Sequence, residues 1–139
     1  MKKILCLIML LSFICVGLLS ACTPIHVPIK EDDVQDVIIY DSKFDSSSYK
    51  HMTQEEISDL VSWFNDCTDI RLNSEFAGEV TIVGIVITTS DSEITILDSG
   101  ENFEIQVYTS KKNQAVSYWA KQKNIEALLE TINTPIEES

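Results

Sequence analysis

Three hydrophobic patterns follow one another along this chain. Ile4 to Leu19 is apolar almost without a break, follows Met1-Lys2-Lys3, and closes on small residues before Cys22. A positive start, an uncharged apolar run and a small-residue end are the layout of a secretory signal. The run is also shorter than the ~20 residues that a membrane-spanning helix requires. Further on, Ile57, Leu60, Val61 and Phe64 recur at helical spacing, as do Ile125, Leu128, Leu129 and Ile132. Between these two stripes the apolar positions alternate, which is the period of strands.

The first helix carries its own start signal. Thr53-Gln54-Glu55-Glu56 has the spacing of a capping box, in which the Thr53 hydroxyl accepts from the Glu56 amide and the Glu56 carboxylate reaches back. Ahead of it, Val37-Ile38-Ile39-Tyr40 within Val34 to Tyr40 predicts a strand, and Asp41 to Lys50 a polar loop. Glu79 to Thr89 is apolar on both faces, with Gly84 inside, and predicts a central strand. Ser92 to Leu97, Phe103 to Tyr108 and Ala115 to Ala120 follow. The turns between them are Ser90-Asp91, Asp98-Ser99-Gly100-Glu101-Asn102 and Lys111-Lys112-Asn113. Asn124 is the expected cap of the last helix, and Pro135 lies beyond its end.

Tight connections in series dictate an antiparallel meander, and an amphipathic helix must bury its stripe on one face of it. The expected fold is therefore α+β. It has a four- to five-stranded antiparallel meander, one helix packed on a face, and a short C-terminal helix, in the order β-α-β-β-β-β-α. Residues 34–134 make the single domain, and 135–139 are a frayed tail. Residues 22–33, which include Pro24 and Pro28, are the lipidated N-terminus and a flexible tether that reaches at most ~40 Å when extended. His26 in that tether is expected to be solvated.

The end of the apolar run narrows the location. Leu19-Ser20-Ala21-Cys22 resembles the lipobox of bacterial lipoproteins: large aliphatic, small, small, cysteine. The resemblance covers the N-terminus alone. It implies a diacylglycerol thioether on Cys22, cleavage after Ala21, removal of residues 1–21, and an extracytoplasmic domain anchored to the membrane by acyl chains. Two or more chains on one cysteine make attachment stable, whereas one binds reversibly. An uncleaved helix and a signal cut elsewhere are the rival readings. Cys6 lacks a preceding apolar run and Cys15 follows the bulky Phe13-Ile14, so neither competes with Cys22. The helix-then-meander order is also similar to that of small Gram-positive lipoproteins of unknown function, while a Gram-negative outer-membrane address stays open.

Charge and cysteine content exclude some partners. The chain has 22 acidic and 10 basic residues among 139, and two of the basic ones are Lys2 and Lys3. So acidic a domain is ill suited to nucleic acid, which is bound through clustered Lys and Arg. Anionic headgroups would repel it over a Debye length. With Cys22 taken by lipid, Cys67 has no partner for a disulfide, and burial alone must hold the fold.

The search for reactive groups yields little. There is no Gly-rich phosphate loop, no His-Glu-x-x-His, no Cys-x-x-Cys and no Gly-x-Ser-x-Gly. His51 and Cys67 are a thiol–imidazole pair only if the fold joins them, and Cys67 reads better as a buried, inert thiol. The acidic turns Asp91-Ser92-Glu93 and Asp98 to Asn102 lack a calcium loop's spacing. No catalytic residue, metal ligand or cofactor is expected. The aromatics Tyr108, Trp119 and Trp63 are the candidate interaction surface, because exposed Tyr and Trp anchor interfaces.

These readings favour a non-catalytic binding module in the cell envelope: an inhibitor, immunity or exclusion factor, or accessory subunit, whose partner is an envelope protein, a peptide or a wall component. The alternative is a small envelope enzyme acting on cell-wall material through an unrecognised carboxylate site.

Overall fold

Thr53 starts its helix as the sequence predicts: its hydroxyl accepts from the Glu56 amide at 3.4 Å, and Glu56 Oε2 accepts from the Thr53 amide at 2.7 Å. The computed structural model that contains this box describes residues 24–40, 49–74, 84–100, 102–111 and 114–133. The expected signal with Leu19, Ser20, Ala21 and Cys22, positions 41–48 of the expected loop, 79–83 of the expected central strand, Glu101 and residues 112–113 of the expected turns, and the expected tail 135–139 lie outside the described residues.

A single 3-10 turn at Glu31–Asp33 precedes β1 (Val34–Tyr40) and β2 (Tyr49–His51). Helix α1 (Gln54–Asn65) and β3 (Thr68–Leu72) follow. Then come β4 (Gly84–Thr89), β5 (Ser92–Asp98), β6 (Phe103–Thr109), β7 (Gln114–Lys121) and α2 (Lys123–Asn133). The fold is α+β, with one antiparallel sheet in the order β2-β1-β4-β5-β6-β7-β3. Among the described residues, seven strands replace the expected four or five. The two extra ones, β2 and β3, are the short outer strands. Both are polar and mostly exposed, so neither carries the apolar alternation by which interior strands announce themselves.

Helix α1 leaves the β2 edge and ends beside β3 at the opposite edge, so it must cross one face of the sheet. That crossing decides which face becomes the core. Ile57, Leu60, Val61 and Phe64 from α1, with Ile125 and Leu129 from α2, pack on Val37, Ile85, Ile87, Ile94, Ile96, Phe103, Ile105 and Tyr118. Each such side chain stabilises the fold by roughly 1.5–3 kcal/mol on full burial. Strand β4 is interior, as its two apolar faces predict. Helix α2 is capped by Gln122 rather than Asn124: Gln122 Oε1 accepts from the amides of Asn124 at 2.6 Å and Ile125 at 3.1 Å.

Residues 24–33 depart from the tether expectation, because they are docked. The Asn65 side chain receives the Ile29 amide at 2.8 Å and donates to the Ile29 carbonyl at 2.8 Å. Glu31 accepts from Gln54 at 2.9 Å and Ser58 at 2.9 Å. His26 is half-buried rather than solvated, its ring 4.6 Å from Phe64 and its Nδ1 at 2.9 Å from the Tyr118 hydroxyl. Pro24 and Pro28 keep residues 24–30 out of helix and strand, yet a helix flank that offers side-chain partners supplies what the backbone lacks.

Candidate functional site

The face of the sheet opposite the helices is built by register. Glu104, Gln106 and Tyr108 of β6 stand opposite Trp119, Ser117 and Ala115 of β7. On the other side of β6 they meet Leu97, Thr95 and Glu93 of β5. Because successive residues alternate in direction, Tyr118 points into the core and Trp119 joins Tyr108 on this outer face. Tyr118 is fully buried, Trp119 half-buried and Tyr108 exposed.

Glu104 organises the centre of that face. Its Oε1 accepts from Asn73 Nδ2 at 3.1 Å, from Gln106 Nε2 at 3.2 Å and from the Ser117 hydroxyl. Asn73 is held in place by its own amide, which donates to the Ser117 carbonyl at 2.9 Å. A charged acceptor with several donors is a firm polar knot. Beside it lies a cleft of about 300 Å³, lined by Leu72, Thr95, Gln106, Tyr108, Ala115 and Ser117 among others, with Glu93 at its edge. A cleft of that size, mostly apolar with a few fixed polar groups, can take a side chain or a small ligand.

Trp63 does not belong to this surface. It sits in α1, partly buried against the core from the helical layer, so the structure unites two of the three candidate aromatics and separates the third. At the far edge of the sheet a further cluster emerges: Tyr40 lies 6.2 Å from Tyr49, and Tyr49 lies 5.6 Å from His51. His51 Nδ1 pairs with Asp36 at 2.9 Å. The short strand β2 creates this group by laying Tyr49 and His51 opposite Tyr40 and Ile38, and that strand has no apolar signal.

His51 and Cys67 are not brought together. Cys67 follows α1, and its thiol donates to the Trp63 carbonyl at 3.7 Å. Burial pushes that thiol up to about 12, with Asp66 and Glu126 adding repulsion, so the thiolate needed for nucleophilic chemistry is suppressed. The two acidic turns lie at opposite ends of β5. Asp91 is paired with Lys111 at 2.5 Å, and Asp98 accepts from the Gly100 amide at 3.0 Å, where Gly100 takes a φ of 87°. Among the described residues, no group of three His, Cys, Asp or Glu side chains is placed to hold a metal ion, and no helix is long and apolar enough to cross a membrane.

Comparisons with protein-family models, with curated proteins and with solved structures find no match for this chain.

Proposed function

We propose that this protein is a lipid-anchored extracytoplasmic binding module, and that it engages an envelope protein or peptide through the helix-free face of its sheet. The observation that supports binding is the convergence of Tyr108, Trp119 and the cleft beside Glu104 on one face. An exposed Tyr108 lining a pre-shaped depression, with Trp119 further along the same face and polar groups already fixed by a network, makes a surface that loses little entropy when a partner arrives. The anchor rests on Leu19-Ser20-Ala21-Cys22.

The test is an affinity capture from detergent-solubilised envelope of the native host, run in parallel with the parent protein and a Tyr108→Ala, Trp119→Ala variant. One dominant envelope protein retained by the parent and lost by the variant supports the reading. Equal retention by both moves the interface elsewhere. If neither retains a protein, wall polymers and substrate screens come next.

A further inference from the structure

The helical layer leaves one corner of its own side of the sheet uncovered, and the docked N-terminal segment roofs that corner incompletely. Beneath Pro24, Ile25, Val27 and Ile29 runs a cavity of about 440 Å³, floored by Val116 and Tyr118 among others. None of the residues lining it is charged, in a chain with 22 acidic residues. Beside the uncharged polar Thr89, Ser92, Thr109 and Gln114, three apolar side chains on it stand open: Ile25 is 42% exposed, Val27 58% and Val116 39%. Three of the large hydrophobic side chains left exposed on the described residues therefore meet at one place.

That place is fixed relative to the anchor. Thr23 alone separates Pro24 from Cys22, a span of two residues or at most ~7 Å. Docking of Ile29 on Asn65 and of His26 on Tyr118 removes the slack that a free tether would supply. We infer that this apolar corner rests on the bilayer surface, so that the domain is held in one orientation against the membrane instead of hanging from a tether. The inference builds on the Cys22 lipid anchor proposed above.

Electrostatics favours the same contact. Anionic headgroups repel an acidic domain, and the repulsion is least where the surface carries no charge. Among the described residues, the β4–β5 hairpin end contributes the Asp91–Lys111 ion pair, neutral as a unit, and the acidic turn Glu31–Asp33 begins two residues beyond Ile29. Burial of Ile25, Val27 and Val116 in the headgroup boundary gains apolar transfer energy, as it does for interfacial helices. The β5–β6 turn at Ser99, at the other end of β5, then points away from the bilayer.

Depth measurements by electron paramagnetic resonance test this directly. The full lipidated chain, carrying Cys67→Ala, receives a nitroxide at Val27→Cys, Val116→Cys or Ser99→Cys and is reconstituted in phosphatidylethanolamine–phosphatidylglycerol vesicles. Each label is compared with the same position in the unlipidated Cys22→Ala protein. The expected result is a loss of access to an aqueous nickel complex, with a gain in access to oxygen, at 27 and 116 but not at 99. Adding Ile25→Glu should restore nickel access at 116 while the protein still sediments with vesicles. If labels at 27 and 116 stay aqueous on sedimenting vesicles, the inference fails and the anchor stands. Shielding of 116 from both reagents means that an acyl chain or a second copy fills the corner, which also overturns it. A protein that does not sediment at all removes the anchor, and this inference with it.

Discussion

Asn65, the last residue of α1, holds Ile29 by both of its backbone polar groups, each at 2.8 Å. An asparagine amide here does what a neighbouring strand would do, and it joins the N-terminal segment to the domain at one residue. Asn65→Ala deletes both bonds and leaves two backbone groups to find water. The expected loss of docking stability is about 1–3 kcal/mol. Native-state hydrogen exchange checks it: the Ile29 amide should exchange much faster in the variant, while core amides of β5 and β6 stay protected.

His26 makes the same docking sensitive to pH. Its Nδ1 lies 2.9 Å from the hydroxyl of Tyr118, whose phenol is raised above its ordinary range by burial, with Cys67 adding to the rise. Burial lowers the His26 imidazole below its ordinary value of 6.5, and the Phe64 carbonyl offsets part of that drop. The free segment therefore takes up a proton at a higher pH than the docked one. Docking is at full strength above 6.5 and weakens as pH falls through the docked value. Glu31, lowered by its bonds from Gln54 and Ser58, and Glu56, lowered to about 2 chiefly by Lys50, enter only below their ordinary 4.5. Exchange at Ile29 followed from pH 7.5 to 5 should accelerate beyond its intrinsic pH trend in the parent and follow that trend in His26→Phe.

Gly84 is required by proximity. A Cβ at this position would stand 2.3 Å from the Ile96 carbonyl oxygen, inside any tolerable contact with backbone. Gly84→Ala must push β4 from β5 at the Gly84–Leu97 pair, at an expected loss of about 1–3 kcal/mol in urea unfolding. A neutral result would mean that the strands are further apart than described.

Cys67 should be chemically silent in the folded protein. With its thiol raised to about 12, iodoacetamide at pH 8 is expected to leave the native protein unmodified and to alkylate it fully in guanidinium. Rapid native alkylation would contradict the part-buried placement of the thiol.

The legible parts of this fold are those whose periodicity is set by one buried face. The stripe from Ile57 to Phe64 and the alternation from Phe103 to Ile105 each name their own burial, and the capping box at Thr53 marks where the first of them starts; each is found as expected. Strands β2 and β3 were illegible because an outer strand buries little and is specified by its neighbour's free edge. Docking of residues 24–33 was illegible for a similar reason: Asn65, Tyr118 and Ser58 lie far along the chain from His26, Ile29 and Glu31. Of the candidate surface, the alternation placed Tyr108 outward, and only the β6–β7 register determined that Trp119 joins it while Tyr118 turns inward. The polar knot at Glu104 draws Asn73 from β3's end, across a pairing the sequence does not announce.

The most direct test of a membrane-held module is fractionation of cells making the parent protein or Cys22→Ala, with membranes washed in alkaline carbonate. The parent is expected to stay with the membrane, and its N-terminal peptide to begin at Cys22 with acyl chains attached. Cys22→Ala is expected to fold and to appear unanchored or poorly processed. A variant retained after the wash as fully as the parent would contradict anchoring through Cys22.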